Sequence, residues 1–302
     1  RCDEQLPSIS LDDPCYLLFT SGSTGKPKAV QINHRAMAAA LFSWERMLPF
    51  TKQSRFLQLA SIGFDVSLIE VCMPLSLGFS IGTAPKQELL EDLTHAIQHL
   101  GITIADLPAA LAGTVHPDDV QLEWLMSGGD VIDSRVVDEW SRAGRLLINA
   151  WGPTEATIGN TLGPVKPGAT RNAIGHVYPA SALYVLEEGS KRILPSGAIG
   201  ELVVGGPQVA DCYYGREELT AEKFIRLEDG SRVYRTGDLG RFLHDGTVDV
   251  AGHVLDAQHT DRDGLAIFEL PVGDVLVAAW DASMSTTVSA EETRQAVLAL
   301  DE

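Results

Sequence analysis

The chain is short of basic residues, of cysteine and of long apolar runs, and each shortage excludes a class of function. Lysine and arginine number 23 against 41 aspartates and glutamates, a formal charge of −18 over 302 residues. Proteins that grip a phosphate backbone carry clustered positive charge, so nucleic acid is not expected as a partner. Cys2, Cys15, Cys72 and Cys212 stand too far apart for paired metal ligands or a disulfide framework. They suit reduced thiols, and the expected location is cytoplasmic. No apolar stretch approaches the ~20 residues of a membrane span, so no membrane is expected as a partner either. The opening Arg1-Cys2-Asp3 has neither an initiator methionine nor a signal-peptide pattern, which predicts a piece of a longer chain. What is present, 45% hydrophobic residues, is enough for a large core.

Tyr16-Leu-Leu-Phe-Thr-Ser-Gly-Ser-Thr-Gly-Lys-Pro-Lys28 runs an apolar strand into a loop of small, hydroxylated and basic residues. Gly22 and Gly25 let several backbone N–H groups aim at one point, Thr20, Ser21, Ser23 and Thr24 add hydroxyls, and Lys26 and Lys28 add charge. This composition suits a polyphosphate. It is not a Walker loop, because Thr20 stands where that pattern wants glycine and Pro27 where it wants Ser or Thr.

Downstream, Asn33 can cap a helix that carries Met37, Leu41, Trp44 and Leu48 on one face. Phe56–Ala60 predicts a strand, Leu68–Leu77 a helix opened by Gly63-Phe-Asp-Val-Ser67, and Gln87–Leu100 a helix stopped by Gly101. Further strands are expected over Ile102–Ala105, Leu125–Asp130 and Arg145–Ala150, with Asp133 capping the helix between the last two. This alternation predicts an α/β fold with mostly parallel sheet and ligands at strand C-terminal ends. From Tyr184 the pattern shifts to short strands, Ala182–Leu186 and then Gly200–Gly206, with Gly/Pro/Ser turns, which predicts an antiparallel or barrel-like section.

The run TSGSTGKPK resembles the signature loop of the adenylate-forming superfamily. Gly63-Phe-Asp-Val-Ser67 resembles the FDxS motif of peptide-synthetase adenylation domains, and Asn149-Ala-Trp-Gly-Pro-Thr-Glu155 the NxYGPTE motif, with Trp151 in place of tyrosine. Gly200-Glu-Leu-Val-Val-Gly-Gly206 with Val209-Ala-Asp-Cys-Tyr-Tyr-Gly215 resembles GELxIxG…ARGY, with Asp211 where arginine is usual. Tyr234-Arg-Thr-Gly-Asp-Leu239 matches Y(R/K)TGDL. The resemblance implies the large N-terminal subdomain of that fold over residues 1–252, lacking the family's most N-terminal part, and a divergent or incomplete C-terminal subdomain over 253–302. There His253 replaces an arginine, Leu255 stands at the hinge aspartate unless Asp256 serves through a one-residue shift, and the late catalytic lysine has no counterpart. Strands at Leu265–Leu270 and Val275–Trp280 and a helix opened by Ser289-Ala-Glu-Glu292 match no family motif.

The same resemblance implies an activity: ATP and an amino acid form an aminoacyl adenylate, which passes to the phosphopantetheine thiol of a carrier protein. Partners would be the peptidyl carrier and condensation domains of a multidomain synthetase. Thr20, Lys28 and Glu155 would be catalytic, with Glu155 on Mg²⁺. ATP would meet Thr20, Ser21, Gly22, Ser23, Thr24, Gly25 and Lys28, together with Gly129, Asp130, Asn149, Ala150, Trp151, Gly152 and Thr154. Asp238 would accept from the ribose hydroxyls. Asp65 can serve as a helix cap; the resemblance implies that it binds the substrate's α-ammonium. The substrate pocket would be Asp65, Val66, Ile69, Asp106, Met126, Gly128, Ala150, Ile158 and Gly159. A second carboxylate, Asp106, among small and apolar residues favours a polar or basic side chain. Room at Gly128, Ala150 and Gly159 favours a long one, and the set is similar to those of fungal siderophore synthetases that take N5-acyl-N5-hydroxyornithine. An acyl- or aryl-acid ligase, or a nucleotide-binding remnant without catalysis, is the alternative.

Overall fold

The computed structural model describes residues 8–20, 27–129, 131–166 and 173–253. In chain order the elements are β1 (Pro14–Thr20), β2 (Lys28–Asn33), α1 (His34–Met47), β3 (Arg55–Leu57), α2 (Val66–Leu77), β4 (Ser80–Gly82), α3 (Lys86–Glu91), α4 (Leu93–His99), β5 (Ile104–Asp106), α5 (Ala109–Ala112), β6 (Trp124–Gly128), α6 (Ser134–Arg142) and β7 (Leu146–Trp151). A single 3₁₀ turn, Thr154–Ala156, leads to β8 (Thr161–Pro164), β9 (Ala173–Val177), β10 (Ala182–Leu186), β11 (Gly200–Gly205), β12 (Cys212–Tyr213), α7 (Glu217–Lys223), β13 (Phe224–Arg226), β14 (Arg232–Phe242) and β15 (Val248–His253).

β3 to β7 pair in parallel, in the order β4-β3-β5-β6-β7. Beyond β7 the same sheet continues antiparallel through β8, β9, β15, β14, β11 and β10. Parallel strands covered by helices on both faces become continuous apolar runs, and successive side chains then enter opposite layers. Phe56, Ile104, Trp124, Met126 and Ile148 pack with Met37 and Trp44 of α1 and Ile69 and Met73 of α2. Their neighbours Leu57, Ala105, Leu125 and Leu147 pack on the other side with Leu89, Ile97, Val136 and Trp140 of α3, α4 and α6. A separate sheet, β1-β2-β12, lies against α1 through Val30, Ile32, Ala36 and Tyr213.

The Asn33 cap forms as expected, its side chain accepting from the Ala36 N–H at 2.8 Å, and Asp133 caps α6 in the same way through Arg135 N–H at 2.7 Å. Before Asn33 the chain forms β2, whose ladder partner is β1 across the Ser/Gly loop, with Thr20 opposite Lys28. Two sequence expectations change. The helix expected over Gln87–Leu100 is two helices, because Asp92 leaves helical backbone (φ −149°) and its carboxylate accepts from His95 N–H at 2.9 Å. β3 is cut short at Leu57, since the N–H groups of Leu59 and Ala60 turn to the carboxylate of Glu70. The strands and helix expected beyond residue 253 lie outside the described residues, as does the expected C-terminal subdomain apart from its first position.

Candidate active site

Lys28 opens β2 with its ammonium turned inward. Its Nζ lies 3.6 Å from Glu155 Oε1, 3.5 Å from the Tyr213 hydroxyl and 4.8 Å from the centre of the Tyr213 ring. Glu155 sits in the 3₁₀ turn after Gly152-Pro153 and is buried. Tyr213 donates to its Oε1 at 2.6 Å, and the hydroxyls of Tyr213 and Tyr234 are 3.2 Å apart. Burial, followed by the Glu155 charge, raises both phenols well above their ordinary range, so both keep their protons as donors. A cation–π contact, an ion pair and a charge-assisted hydrogen bond thus converge on one carboxylate. At the end of β1 across from Lys28, Thr20 Oγ1 is buried with no hydrogen-bond partner among the described residues. Ser21, Gly22, Ser23, Thr24, Gly25 and Lys26, between these two ends, lie outside the described residues, as does Asp130.

Trp151 ends β7, and its indole N–H donates to Asp238 Oδ2 at 3.1 Å. Asp238 lies on β14 just after Gly237, whose φ of +83° is the left-handed region that favours glycine. The turn is fixed from behind: Gly237 N–H donates to buried Glu201 at 3.3 Å, and Glu201 is ion-paired with Arg235. Asn149 is engaged elsewhere, its Nδ2 donating to the Ala173 carbonyl at 2.9 Å. Gly152 is required sterically, because a Cβ there would come within 2.5 Å of Gly159 Cα.

A second group of titratable residues gathers at the C-terminal ends of the parallel strands. Asp65 stands at the N-cap position of α2 but in helical backbone (φ −63°, ψ −28°), and makes no capping bond; the cap expectation is not met. Burial raises its pKa; the neighbouring Thr154 side chain and Val66 backbone oppose the rise and the Glu155 charge adds to it. Asp106 ends β5 and is pushed up to about 7, first by burial and then by the charge of Asp65. Glu70, fully buried on α2, is pushed up to about 8 by burial and then by Asp106. It accepts from Leu59 N–H at 3.1 Å, from Ala60 N–H at 3.0 Å and from Gln58 Nε2 at 3.3 Å.

Asp106 pairs with Met126, and Gly128 with Ala150, on neighbouring strands, while Ile69, Met126 and Ile158 share one packed cluster with Tyr178. Val66 is the first residue of α2. The fold therefore gathers the expected pocket residues at one end of the sheet. The expectation that Gly128 and Gly159 leave room changes. A Cβ at Gly128 would meet the Ala150 carbonyl at 2.4 Å, and one at Gly159 the Tyr178 hydroxyl at 2.8 Å, so each space is already filled. Thr157 and Ile158 adopt φ of +61° and +71°, which costs about 1–3 kcal/mol per residue for side chains of this kind. Buried Gln208 holds them, donating to the carbonyls of Thr157 at 3.2 Å and Gly159 at 2.9 Å while its own carbonyl accepts from Thr157 Oγ1 at 2.6 Å.

Glu70, Tyr178 and Tyr213 were not singled out from the sequence. Glu70 had a visible signal, as the one charged residue of the apolar helix Val66–Leu77. The Tyr178 hydroxyl, buried without a partner among the described residues and raised by burial and then Asp106, had none.

The model of the AMP-binding enzyme family matches residues 2–214. The ferrichrome siderophore peptide synthetase of Mycosarcoma maydis is 82% identical over 250 residues, covering 83% of this chain and 6% of that protein. Nonribosomal peptide synthetase 2 of Gibberella zeae is 38% identical over 271 residues, covering 87% of this chain and 6% of that protein. The chain thus spans only about 6% of the length of these relatives. Among solved structures, the N-terminal subdomain of Klebsiella oxytoca NpsA, in complex with 3-hydroxyanthranilyl-AMSN, is similar with a TM-score of 0.73 and 28% identity, covering 84% of this chain and 68% of that one. The fold is accordingly that of the large N-terminal subdomain expected from the motifs, and the chain belongs to the AMP-binding enzyme family.

Proposed function

We propose that the chain activates an amino acid with ATP. The substrate carboxylate oxygen attacks the α-phosphorus, the new P–O bond gives an aminoacyl adenylate, and the bond from the α-phosphorus to the bridging oxygen breaks to release pyrophosphate. A carrier-protein thiol then displaces AMP from the acyl group. One observation carries this assignment: the consecutive residues Thr154 and Glu155 face the two groups described above. Thr154 and the Glu155 charge both act on buried Asp65, and Glu155 pairs with Lys28. An ammonium at Asp65 and a polyphosphate at Lys28 would therefore be held from a single turn, which is catalysis by positioning.

In this reading Thr20, Lys28 and the intervening loop hold phosphate, and the Thr20 hydroxyl, without a partner among the described residues, suits that role. Gly129, Asp130, Asn149, Ala150, Trp151, Gly152 and Thr154 border the nucleotide, Trp151 by its ring face, while Asp238 takes the ribose. Glu155 fits one ligand of a Mg²⁺ ion. No cluster of three metal-ligating side chains occurs among the described residues, so phosphate oxygens would supply most of the shell. The metal, when bound, offsets the negative charge of the polyphosphate. Asp65 holds the α-ammonium, and Val66, Ile69, Asp106, Met126, Gly128, Ala150, Ile158 and Gly159 surround the side chain. Asp106 favours a polar side chain, and a choice such as N5-acyl-N5-hydroxyornithine agrees with the 82% identity to a protein named as a ferrichrome siderophore peptide synthetase. The setting would be a multidomain synthetase with peptidyl carrier and condensation domains, in the cytoplasm. No helix among the described residues is long and apolar enough to cross a membrane.

Amino-acid-dependent ATP–pyrophosphate exchange tests this, with hydroxyornithine derivatives, ornithine, and fatty and aryl acids as substrates. Exchange with a long polar amino acid is expected, with a loss of about 100-fold or more in Asp65→Ala, which removes the ammonium's counter-charge. Exchange with acids that lack an amino group would establish an acyl- or aryl-acid ligase instead. ATP binding without any exchange would leave a nucleotide-binding remnant.

A further inference from the structure

The family motif has tyrosine where this chain has Trp151, and the exchange adds an N–H group that a phenol ring lacks. The indole nitrogen is a donor only, and here it points at Asp238 Oδ2, 3.1 Å away and 87 residues on in sequence. Both partners are anchored independently of this bond. Trp151 ends β7, its carbonyl accepts from Asn160 N–H at 2.8 Å, and its ring packs against the cluster that includes Ala156, Ile174 and Leu202. Asp238 is fixed through its backbone: its N–H donates to Thr236 Oγ1 at 2.9 Å, and that hydroxyl donates to the Leu202 carbonyl at 2.7 Å. With both backbones held, the indole N–H acts on the torsion of the Asp238 carboxylate. An ionised carboxylate offers about four lone-pair directions, so accepting from an indole still lets it accept from a diol.

We infer that Trp151 is a positioning residue for ribose recognition. Beyond any stacking on the base, it orients Asp238 toward the 2′- and 3′-hydroxyls, and so sets the preference of the site for ribonucleotides. The inference rests on the nucleoside placement given under the proposed function.

The test is equilibrium binding of ATP and of 2′,3′-dideoxy-ATP to the full chain, to Trp151→Phe, to Asp238→Ala and to the double variant. Phenylalanine keeps an aromatic face and removes the N–H. ATP affinity is expected to fall about ten-fold in Trp151→Phe, the size of one hydrogen bond to a charged group, while dideoxy-ATP stays within about two-fold. In the Asp238→Ala background the same substitution should change ATP binding no further. Equal weakening of both nucleotides, or no change in either, would overturn the inference and leave the nucleoside placement standing. Asp238→Ala with unaltered ATP affinity would overturn the placement itself, and the inference with it. Should the Phe variant not fold, the indole proton resonance of Trp151 provides the second measurement. It should move upfield in Asp238→Ala, and an unmoved resonance would overturn the inference.

Discussion

Around Glu155 the buried charges are matched by the protein itself: Lys28 pairs with the carboxylate, Tyr213 donates to it, and the Tyr213 ring lies under the ammonium. Around Asp106 they are not. Burial raises all three carboxyls, Asp65, Glu70 and Asp106; Asp65 further raises Asp106 and Asp106 further raises Glu70, and no ion pair among the described residues includes any of the three. Two regions joined by a single turn thus carry the same buried chemistry with opposite electrostatics. In the first, the charge of Glu155 is balanced within the protein. The second takes up protons in place of the positive charge it lacks, as a site built to receive a cation or a hydrogen-bond donor would.

The largest effect expected from this contrast is on pH dependence. Folding raises Glu70 from its ordinary 4.5 to about 8 and Asp106 from 3.8 to about 7, so the folded chain binds more protons than the unfolded one between those values. The stability these groups contribute is fully present below the unfolded pKa values and is lost as pH rises through the folded ones. The slope reaches about 1.4 kcal/mol per pH unit for each group. Urea unfolding at pH 5, 6, 7 and 8 should show stability falling, and Glu70→Gln should remove one group's share of the slope. A rise over that range would contradict the contrast.

Removing charge from the matched region should act differently. Lys28→Met leaves buried Glu155 without its cation and should destabilise the fold by about 2–3 kcal/mol at pH 7. Denaturant unfolding that registers no loss would show that the pair is not what holds that region. The smallest effect belongs to the surface. The Arg35–Asp12 pair is short, 2.7 Å, yet both side chains are exposed, and Asp12→Ala should change the unfolding free energy by less than about 0.5 kcal/mol.

Legibility in the sequence followed the range of the interactions. The caps at Asn33 and Asp133 are contacts over two or three residues, and both were visible from residue type and apolar spacing. The break at Asp92 is equally local, but the apolar pattern runs on across it, and only the φ of −149° reveals it. β2 is short, and its strand character comes from pairing with β1 and β12. Glu70 appeared only as a charge in an apolar helix, because the N–H groups it satisfies lie ten and eleven residues back in another element. The motif residues were legible one by one; their mutual contacts were not.

By itself the sequence determined which residue types stand at strand ends and helix starts: the carboxylates Asp65, Asp106, Glu155 and Asp238, the lysine Lys28 and the aromatic Trp151. It determined the alternating layers too, because periodicity is a local property of the chain. Which carboxylate is neutralised and which is left to gather protons was decided only by the tertiary structure. Tyr213 reaches Glu155 across 58 residues and Trp151 reaches Asp238 across 87. Burial and neighbouring charge, which set the protonation of a group, are properties of the folded surroundings and not of the residue type.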